Sequence, residues 1–165
     1  MIEPTEIRET AKRYEDENLK FRRFLKNHAD EDELDGHFLN LHNELFAKYD
    51  CNRCRNCCKM SSTTLEDAEI ESIAAFLGLT KEGFTEKYLI LSDDGFEIKA
   101  PCPFLCADGD CRIRDCKPGV CREFPHTNKP ERLSSLLSIM WFAEECPVVF
   151  EIIQRLKKIY GFKGI

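Results

Sequence analysis

Apolar side chains recur every three or four positions along residues 7–45, and this pattern predicts two amphipathic helices. The stripes consist of Ile7, Ala11, Tyr14, Phe21 and Leu25, and of Leu34, Phe38, Leu41 and Leu45. The segment NHADEDELDG separates them and offers Asp30 or Asp32 as a cap, within an acidic run at 30–35 that we interpret as a solvated loop. We expect a helical hairpin over residues 1–50 that packs on the rest of the domain; a dimer interface is the alternative.

A third helix is predicted within SSTTLEDAEIESIAAFLGLT. Its start matches a capping box, formed either by Thr63 with Glu66 or by Thr64 with Asp67. Gly78 stands where a helix commonly ends in a left-handed residue.

The sequence of residues 80–125 indicates less regular structure. A short helix is expected over 80–88, and LILSDDGFEIKA predicts a β-hairpin around an Asp94-Gly95 turn. Prolines and glycines divide residues 101–125, so a loop is expected there.

The last 36 residues are apolar again. SSLLSIMWF fits a buried strand or a helix start, with Trp141 in the core, whereas Pro147 begins a clear amphipathic helix. The predicted fold is therefore mainly α with a small β-hairpin.

Charge and composition exclude several protein classes. The chain has 165 residues and a formal net charge of -6, which argues against a nucleic-acid partner. No apolar run is long enough to span a membrane, and the N-terminus lacks the apolar region of a signal peptide. We expect a cytoplasmic protein, in a compartment where thiols stay reduced.

The ten cysteines change this picture, because nine of them fall between Cys51 and Cys121. Such clustering favours a metal site over a disulfide framework or scattered buried thiols. Cys51, Cys54 and Cys57 follow the two-residue spacing of metal-binding turns. Cys58 is adjacent to Cys57, so the two side chains are expected to serve two neighbouring sites or two atoms of one cluster.

Four cysteine-containing segments follow one another along the chain: CNRCRNCC, PCPFL, CRIRDCKPGVCREFP and a final CP. Their order resembles the YkgJ-type cysteine-cluster family. That family is described as a zinc- or iron-chelating domain related to the flagellin lysine-N-methylases. The resemblance covers about residues 51–147 and implies these metal ligands: Cys51, Cys54, Cys57, Cys58, Cys102, Cys111, Cys121 and Cys146. Cys106 and Cys116 are additional to the family pattern.

Eight thiols suit two four-thiolate sites, or one iron–sulfur cluster with one structural metal. Both iron and zinc accept thiolates, and the lack of a convincing histidine ligand favours iron slightly. The predicted domains are a helical hairpin at 1–50 and a metal-binding domain at 51–165.

No phosphate-binding loop, dinucleotide fingerprint or hydrolase motif occurs in the chain. The leading hypothesis is a metal-binding protein with an iron–sulfur cluster, zinc, or both. One alternative is an enzyme that uses the cluster for redox or methyl-transfer chemistry on a protein substrate. The other is a structural zinc module whose N-terminal hairpin binds a protein partner.

Overall fold

The fold is mainly helical with a small antiparallel sheet, as the sequence predicts. The computed structural model describes residues 1–164. They form two compact units, one made of residues 1–50 with 125–164 and the other of residues 51–124. We call them the helical unit and the cysteine unit. Independent folding of residues 1–50 and 51–165 as two domains stays a prediction.

The helices and strands have the following bounds. The helices are α1 (Ile7–Arg13), α2 (Glu15–His28), α3 (Glu31–Phe46), α4 (Cys51–Cys54), α5 (Asn56–Met60), α6 (Asp67–Phe76), α7 (Lys81–Tyr88), α8 (Gly119–Glu123), α9 (Arg132–Phe142) and α10 (Pro147–Ile159). The strands are β1 (Thr63–Thr64), β2 (Leu89–Ser92) and β3 (Gly95–Ile98). None of the helices within residues 1–164 is long and apolar enough to cross a membrane.

The helical unit buries the two predicted apolar stripes except Tyr14, which is 38% exposed. Phe21 and Leu25 of α2 and Leu34 and Phe38 of α3 are fully buried. Helix α9 packs against α2, α3 and α10. The side chain of Asp30 caps α3 by accepting a hydrogen bond from the Glu33 N–H at 3.0 Å, as one of the two predicted caps.

Three sequence-based expectations are corrected or decided in this unit. The acidic run at 30–35 is not a loop, because α3 begins at Glu31. SSLLSIMWF is helical and forms most of α9. Trp141 is not in the core, since it is 59% exposed on α9; the buried face of that helix is formed by Leu136, Ile139 and Met140.

The cysteine unit is built around α6 and the sheet. Its core consists of Leu65, Ile70, Ile73, Ala74, Phe84, Ile98, Phe104 and Ile113. The strands lie in the order β1-β3-β2, and Ile98 of β3 is opposite both Thr63 and Leu89. Cys102, Cys111 and Cys116 are partly buried against this core, so the core positions several of the thiols.

Two local predictions in this unit were wrong in detail. Thr63 and Thr64 form β1 rather than a cap, and the capping box of α6 is made by Glu66 with Glu69. The predicted hairpin forms, but its turn is one residue earlier, because Ser92 pairs with Gly95 across two turn residues. Gly78 is left-handed at φ +70° after α6, as predicted.

Candidate metal centre

The CNRCRNCCK segment folds into two single helical turns. Helix α4 carries Cys51 and Cys54, and α5 carries Cys57 and Cys58. Arg55 separates them in a left-handed conformation, with φ 49°. This break re-orients the chain after Cys54, so the segment does not continue as one helix with all four thiols along its surface.

Backbone contacts bring the later cysteines to this segment. The Cys102 N–H donates a hydrogen bond to the Cys58 carbonyl oxygen at 2.8 Å. Cys111 forms an isolated β-bridge with Leu105. Cys121 lies on α8, and its sulfur is 3.6 Å from the Thr63 hydroxyl of β1. Three separate stretches of chain therefore supply thiols to one region of the cysteine unit.

The turn at Gly109 approaches α4 very closely. Gly109 has φ +87°, and a Cβ there would lie 2.6 Å from the carbonyl oxygen of Asn52. Any side chain at this position would therefore push the loop off the helix. Glycine at 109 sets the distance between the first cysteine group and the loop that leads to Cys111.

A small cavity lies among the thiols. It has a volume of about 70 Å³ and is lined by Cys57, Cys58, Cys102 and Cys121, with Lys117 among the other lining residues. An ion or a compact inorganic group fits a space of this size, whereas drug-sized ligands occupy pockets of about 300–1,000 Å³.

Cys58 is the most acidic of the perturbed thiols. A hydrogen bond from Cys57 and the charges of Lys117, Arg55 and Lys59 lower the pKa of Cys58 to about 6, against the opposing effect of burial. The thiolate is the form that binds a metal, so Cys58 is prepared for ligation at neutral pH.

The pKa values of Cys102 and Cys121 are shifted in the opposite direction, upwards. Burial raises the pKa of Cys102 to about 11, and the negative charges of Cys58, Cys111 and Cys121 add to that shift. Burial also raises the pKa of Cys121, where the charges of Cys58 and Cys111 act in the same direction. The four sulfurs thus repel one another as thiolates, and a bound cation would remove this repulsion.

Clustered thiols with basic neighbours match the chemistry of a thiolate-bound metal centre, because cations offset the surplus negative charge of four thiolates. All ten cysteines of the chain carry thiols and none forms a disulfide. However, no three His, Cys, Asp or Glu side chains within residues 1–164 lie close enough together to hold a single ion. The donor set fits a metal centre, whereas the spacing of the sulfurs does not match one bare ion.

The other cysteines are distributed unevenly. Cys51 and Cys106 are exposed, and Cys54 and Cys116 are partly buried, all within the cysteine unit. Cys146 belongs to the helical unit, where it is 9% exposed and immediately precedes α10. Seven of the eight predicted ligands therefore lie in the cysteine unit.

A basic groove adjoins α4 and α5. It has a volume of about 480 Å³, and Arg53, Arg55 and Lys59 line it together with the exposed Cys106. Lys59 donates a hydrogen bond to the Cys54 carbonyl oxygen at 2.9 Å. Three basic side chains and one acidic side chain, Asp108, thus lie along the groove beside the segment that carries the first cysteine group.

Glu69 is a positioning residue that the sequence analysis missed. Its carboxylate accepts hydrogen bonds from the Glu66 N–H at 3.0 Å and from the Gly119 N–H at 2.7 Å. It therefore joins the start of α6 to the start of α8, which carries Cys121. The available signal was Glu66 three residues before Glu69, a capping pair that uses glutamate in place of serine or threonine.

Comparison with known proteins gives one match. No curated protein and no solved structure matches the chain. The model of one family matches residues 50–147, which contain all ten cysteines and more than half of the chain. The chain therefore belongs to the CxxCxxCC family, whose description is "putative zinc- or iron-chelating domain".

Proposed function

We propose that the protein holds an iron–sulfur cluster through Cys58, Cys102, Cys111 and Cys121. The observation that carries this proposal is the small cavity that Cys58, Cys102 and Cys121 line together, and the charge of Cys111 acts on both Cys102 and Cys121. The family description supports metal chelation by this part of the chain. Residues held in the thiol state also suit a reducing compartment such as the cytoplasm.

The spacing of the thiols favours a cluster over a single zinc ion. Four sulfurs around one zinc ion are each about 2.3 Å from it, and hence about 3.8 Å from one another. No three potential ligands in the described part of the chain approach that arrangement. A cluster contains several irons and binds cysteines at separate atoms, so it accepts a wider set of sulfurs.

The remaining family cysteines belong to a second group in this proposal. Cys51, Cys54 and Cys57 retain the two-residue spacing of metal-binding turns on α4 and α5. Cys146, which belongs to the helical unit, stays a predicted ligand. The ratio of metal to protein distinguishes one centre from two.

The first experiment is a paired measurement on protein purified without air and with iron supplied. A visible spectrum is recorded, and iron, zinc and acid-labile sulfide are measured on the same sample. Broad charge-transfer absorption with matched iron and sulfide is the expected result. A colourless protein with stoichiometric zinc would replace the cluster with a zinc site, and a protein free of both metals would overturn metal binding altogether.

Cysteine-to-serine variants test the ligand set. Four variants, Cys58→Ser, Cys102→Ser, Cys111→Ser and Cys121→Ser, are each expected to lose the iron and sulfide of the cluster, because serine is a poor replacement for a thiolate. Cys106→Ser and Cys116→Ser are matched controls outside the family pattern and are expected to retain the cluster. Loss of metal from the controls, with retention in the four variants, would contradict the assignment.

An enzyme that uses the centre is the second candidate, and the basic groove favours it. The groove is large enough for a small anionic molecule and lies along the segment that carries Cys54 and Cys57. Titration of the metal-loaded protein with pyrophosphate, followed by calorimetry, tests this point. Binding that Arg53→Ala weakens would support a second molecule beside the centre, and absence of heat would remove this support.

A further inference from the structure

Strand β2 forms an edge of the small sheet in the cysteine unit. The strand order β1-β3-β2 leaves one side of β2 without a neighbouring strand within residues 1–164, and we call this side the open edge of Leu89–Ser92. Its sequence, LILS, contains no charged residue and no proline, two means by which proteins prevent a sheet edge from pairing with another chain. The open edge can therefore accept a further strand.

The backbone of Leu91 faces the open edge. The Leu65 N–H donates a hydrogen bond to the Phe96 carbonyl oxygen at 2.9 Å, so Phe96 bonds towards the β1 side of the sheet. Leu91 is opposite Phe96 in the antiparallel register. Directly opposite residues of an antiparallel pair either bond to each other or both face away. The N–H and C=O of Leu91 therefore point away from β3, and so do those of Leu89, two residues earlier.

Most of these outward groups have no partner in the described part of the chain. The Leu89 N–H donates to the Thr85 carbonyl oxygen at the end of α7. The Leu89 carbonyl oxygen and both backbone groups of Leu91 make no hydrogen bond within residues 1–164. Each copy therefore offers one N–H donor and two carbonyl acceptors to an added strand.

The side chains of the hairpin form an exposed apolar surface. Leu91 is 75% exposed, the largest fraction among the large apolar side chains of residues 1–164, while Ile90 is 43% and Phe96 37% exposed. Leu91 and Phe96 lie on the same face of the sheet as Leu89 and the buried Ile98. The core-facing side of the sheet thus continues beyond the core as an uncovered apolar surface.

We propose that β2 pairs antiparallel with β2 of a second copy of this chain, so that the two sheets join across a two-fold axis. The outward groups restrict the register, because cross-strand hydrogen bonds form only between residues that both face the other strand. With Ile90 opposite Ile90 of the second copy, the Leu91 N–H donates to the Leu89 carbonyl oxygen of the second copy, and symmetry repeats the bond. Leu91 then lies beside Leu89 of the second copy and extends its apolar face.

Charges at the two ends of β2 complement each other in this register. Lys87 is two residues before Leu89, and Asp93 is two residues after Leu91. The pairing therefore brings Lys87 of each copy to Asp93 of the other, and neither side chain forms an ion pair among the described residues. The next register that the backbone permits, with Leu91 opposite Leu91, would place Asp93 opposite the apolar Leu89. The edge is thus self-complementary, as a two-fold interface requires.

The oligomeric state tests this proposal, and it is independent of the metal because the contact uses no cysteine. The protein as purified is examined by sedimentation velocity over a wide range of concentrations. A reducing agent is present, so that exposed thiols do not cross-link the copies. A reversible monomer–dimer equilibrium is expected, because each copy uses the same edge and assembly stops at two. A monomer at every concentration, or growth into larger species, would overturn the proposal.

A charge at the centre of the edge is expected to prevent pairing. Leu91→Lys should raise the dissociation constant of the dimer by about tenfold or more, because lysine replaces an apolar side chain that packs across the strands. Leu91 is exposed in the single copy, so the variant should fold, which circular dichroism checks. The control Phe76→Lys changes a side chain that is 49% exposed on α6 and should leave the dissociation constant unchanged. Equal dissociation constants for Leu91→Lys and the wild type would contradict the edge contact.

Two charge variants test the register and distinguish it from non-specific apolar association. Lys87→Asp and Asp93→Lys each place like charges together at both ends of the contact, and each should weaken self-association by about three- to tenfold. Mixed in equal amounts, the two variants should associate again, because each copy supplies the charge that the other lacks. A mixture that stays as monomeric as its separate components would overturn the proposed register and the dimer built on it.

Discussion

Asp35 shows how one side chain completes a distant helix. It lies on α3, and its carboxylate accepts hydrogen bonds from the backbone N–H groups of Glu131 at 2.7 Å and Arg132 at 2.8 Å. Glu131 precedes α9 in a left-handed conformation and makes no side-chain cap of its own. The cap of α9 therefore comes from a residue 97 positions earlier in the chain than Arg132.

Asp35→Ala is expected to lower the free energy of unfolding by about 1–3 kcal/mol, because two N–H groups at the start of α9 lose their acceptor. Urea denaturation followed by circular dichroism measures this change. Asp35→Asn keeps one carbonyl oxygen and should retain part of the stability. Asp32→Ala on the same helix is the control, with an expected loss of about 0.5 kcal/mol or less; equal losses at positions 32 and 35 would contradict the capping role.

Lys157 is a buried charge with a partial partner. Burial lowers the pKa of Lys157, and the Glu17 carboxylate, 2.6 Å from its nitrogen, offsets only part of that shift. The folded protein releases the proton at a lower pH than the unfolded chain, whose lysine titrates near 10.5. The contribution of Lys157 to stability therefore increases as the pH rises from the lowered pKa towards 10.5.

Lys157→Met is expected to leave the free energy of unfolding unchanged at about pH 7 or to raise it by about 1 kcal/mol. The advantage of the variant over the wild type should shrink as the pH rises to about 10, because the folded protein releases the Lys157 proton and the desolvation penalty decreases. Urea denaturation at both pH values measures the difference. The control variant Lys158→Met changes an exposed neighbour and should show no such pH-dependent difference. A stability advantage of Lys157→Met that grows with pH would contradict the predicted direction of the effect.

At the scale of the elements, Glu69 couples α6 to α8. Glu69→Ala is expected to lower the free energy of unfolding by about 1–2 kcal/mol, because it removes the capping box of α6 and the acceptor of the Gly119 N–H. It should also weaken metal retention against a chelator, since α8 carries Cys121. Glu71→Ala breaks only the exposed contact with Lys81 and serves as the control.

Local sequence signals predicted the longer helices and the presence of the hairpin, because apolar periodicity and turn residues act over a few positions. They missed the short helices α4 and α5, and α8 lies within residues 101–125, where a loop was expected. The strand–helix ambiguity of SSLLSIMWF needed tertiary contacts, since one face of α9 packs on α2 and α3. Trp141 was misplaced because hydrophobicity does not specify which face of a helix is buried. The role of Asp35 depends on a contact across the chain, so no short-range pattern reveals it.

The sequence indicated that cysteines form the candidate centre, but it did not indicate which cysteines lie together. Spacing indicated thiol ligation, and seven of the predicted ligands do fall in one compact unit. The coupling of Cys58 with Cys102, Cys111 and Cys121 depends on the left-handed break at Arg55 and on the close approach of Gly109 to Asn52. Both are backbone features that cysteine spacing does not encode.

At the scale of the whole molecule, the two units depend on metal to different degrees. The helical unit has its own apolar core in α2, α3, α9 and α10, whereas residues 101–124 contribute only Phe104, Ile113 and Pro118 to the buried apolar side chains. A structural zinc site can supply on the order of 10 kcal/mol of folding free energy. The loss of metal should therefore unfold the cysteine unit first.

Hydrogen exchange measured by mass spectrometry tests this expectation. After treatment with a strong chelator, amides of residues 101–124 are expected to exchange much faster, while those of α3 and α10 remain protected. Metal returned to the same sample should restore protection. Uniform acceleration across both units would show that they unfold together.

Along the chain, the cysteine unit is inserted between the two segments that form the helical unit, and this order has a consequence during synthesis. At about 5–20 residues per second, the ribosome takes roughly 4–15 s to make residues 51–124. Helices α2 and α3 have already emerged by then, but α9 and α10, which cover their apolar faces, have not. We therefore expect the thiols to become available for metal loading before the helical unit can close, so that cofactor delivery and translation overlap in time.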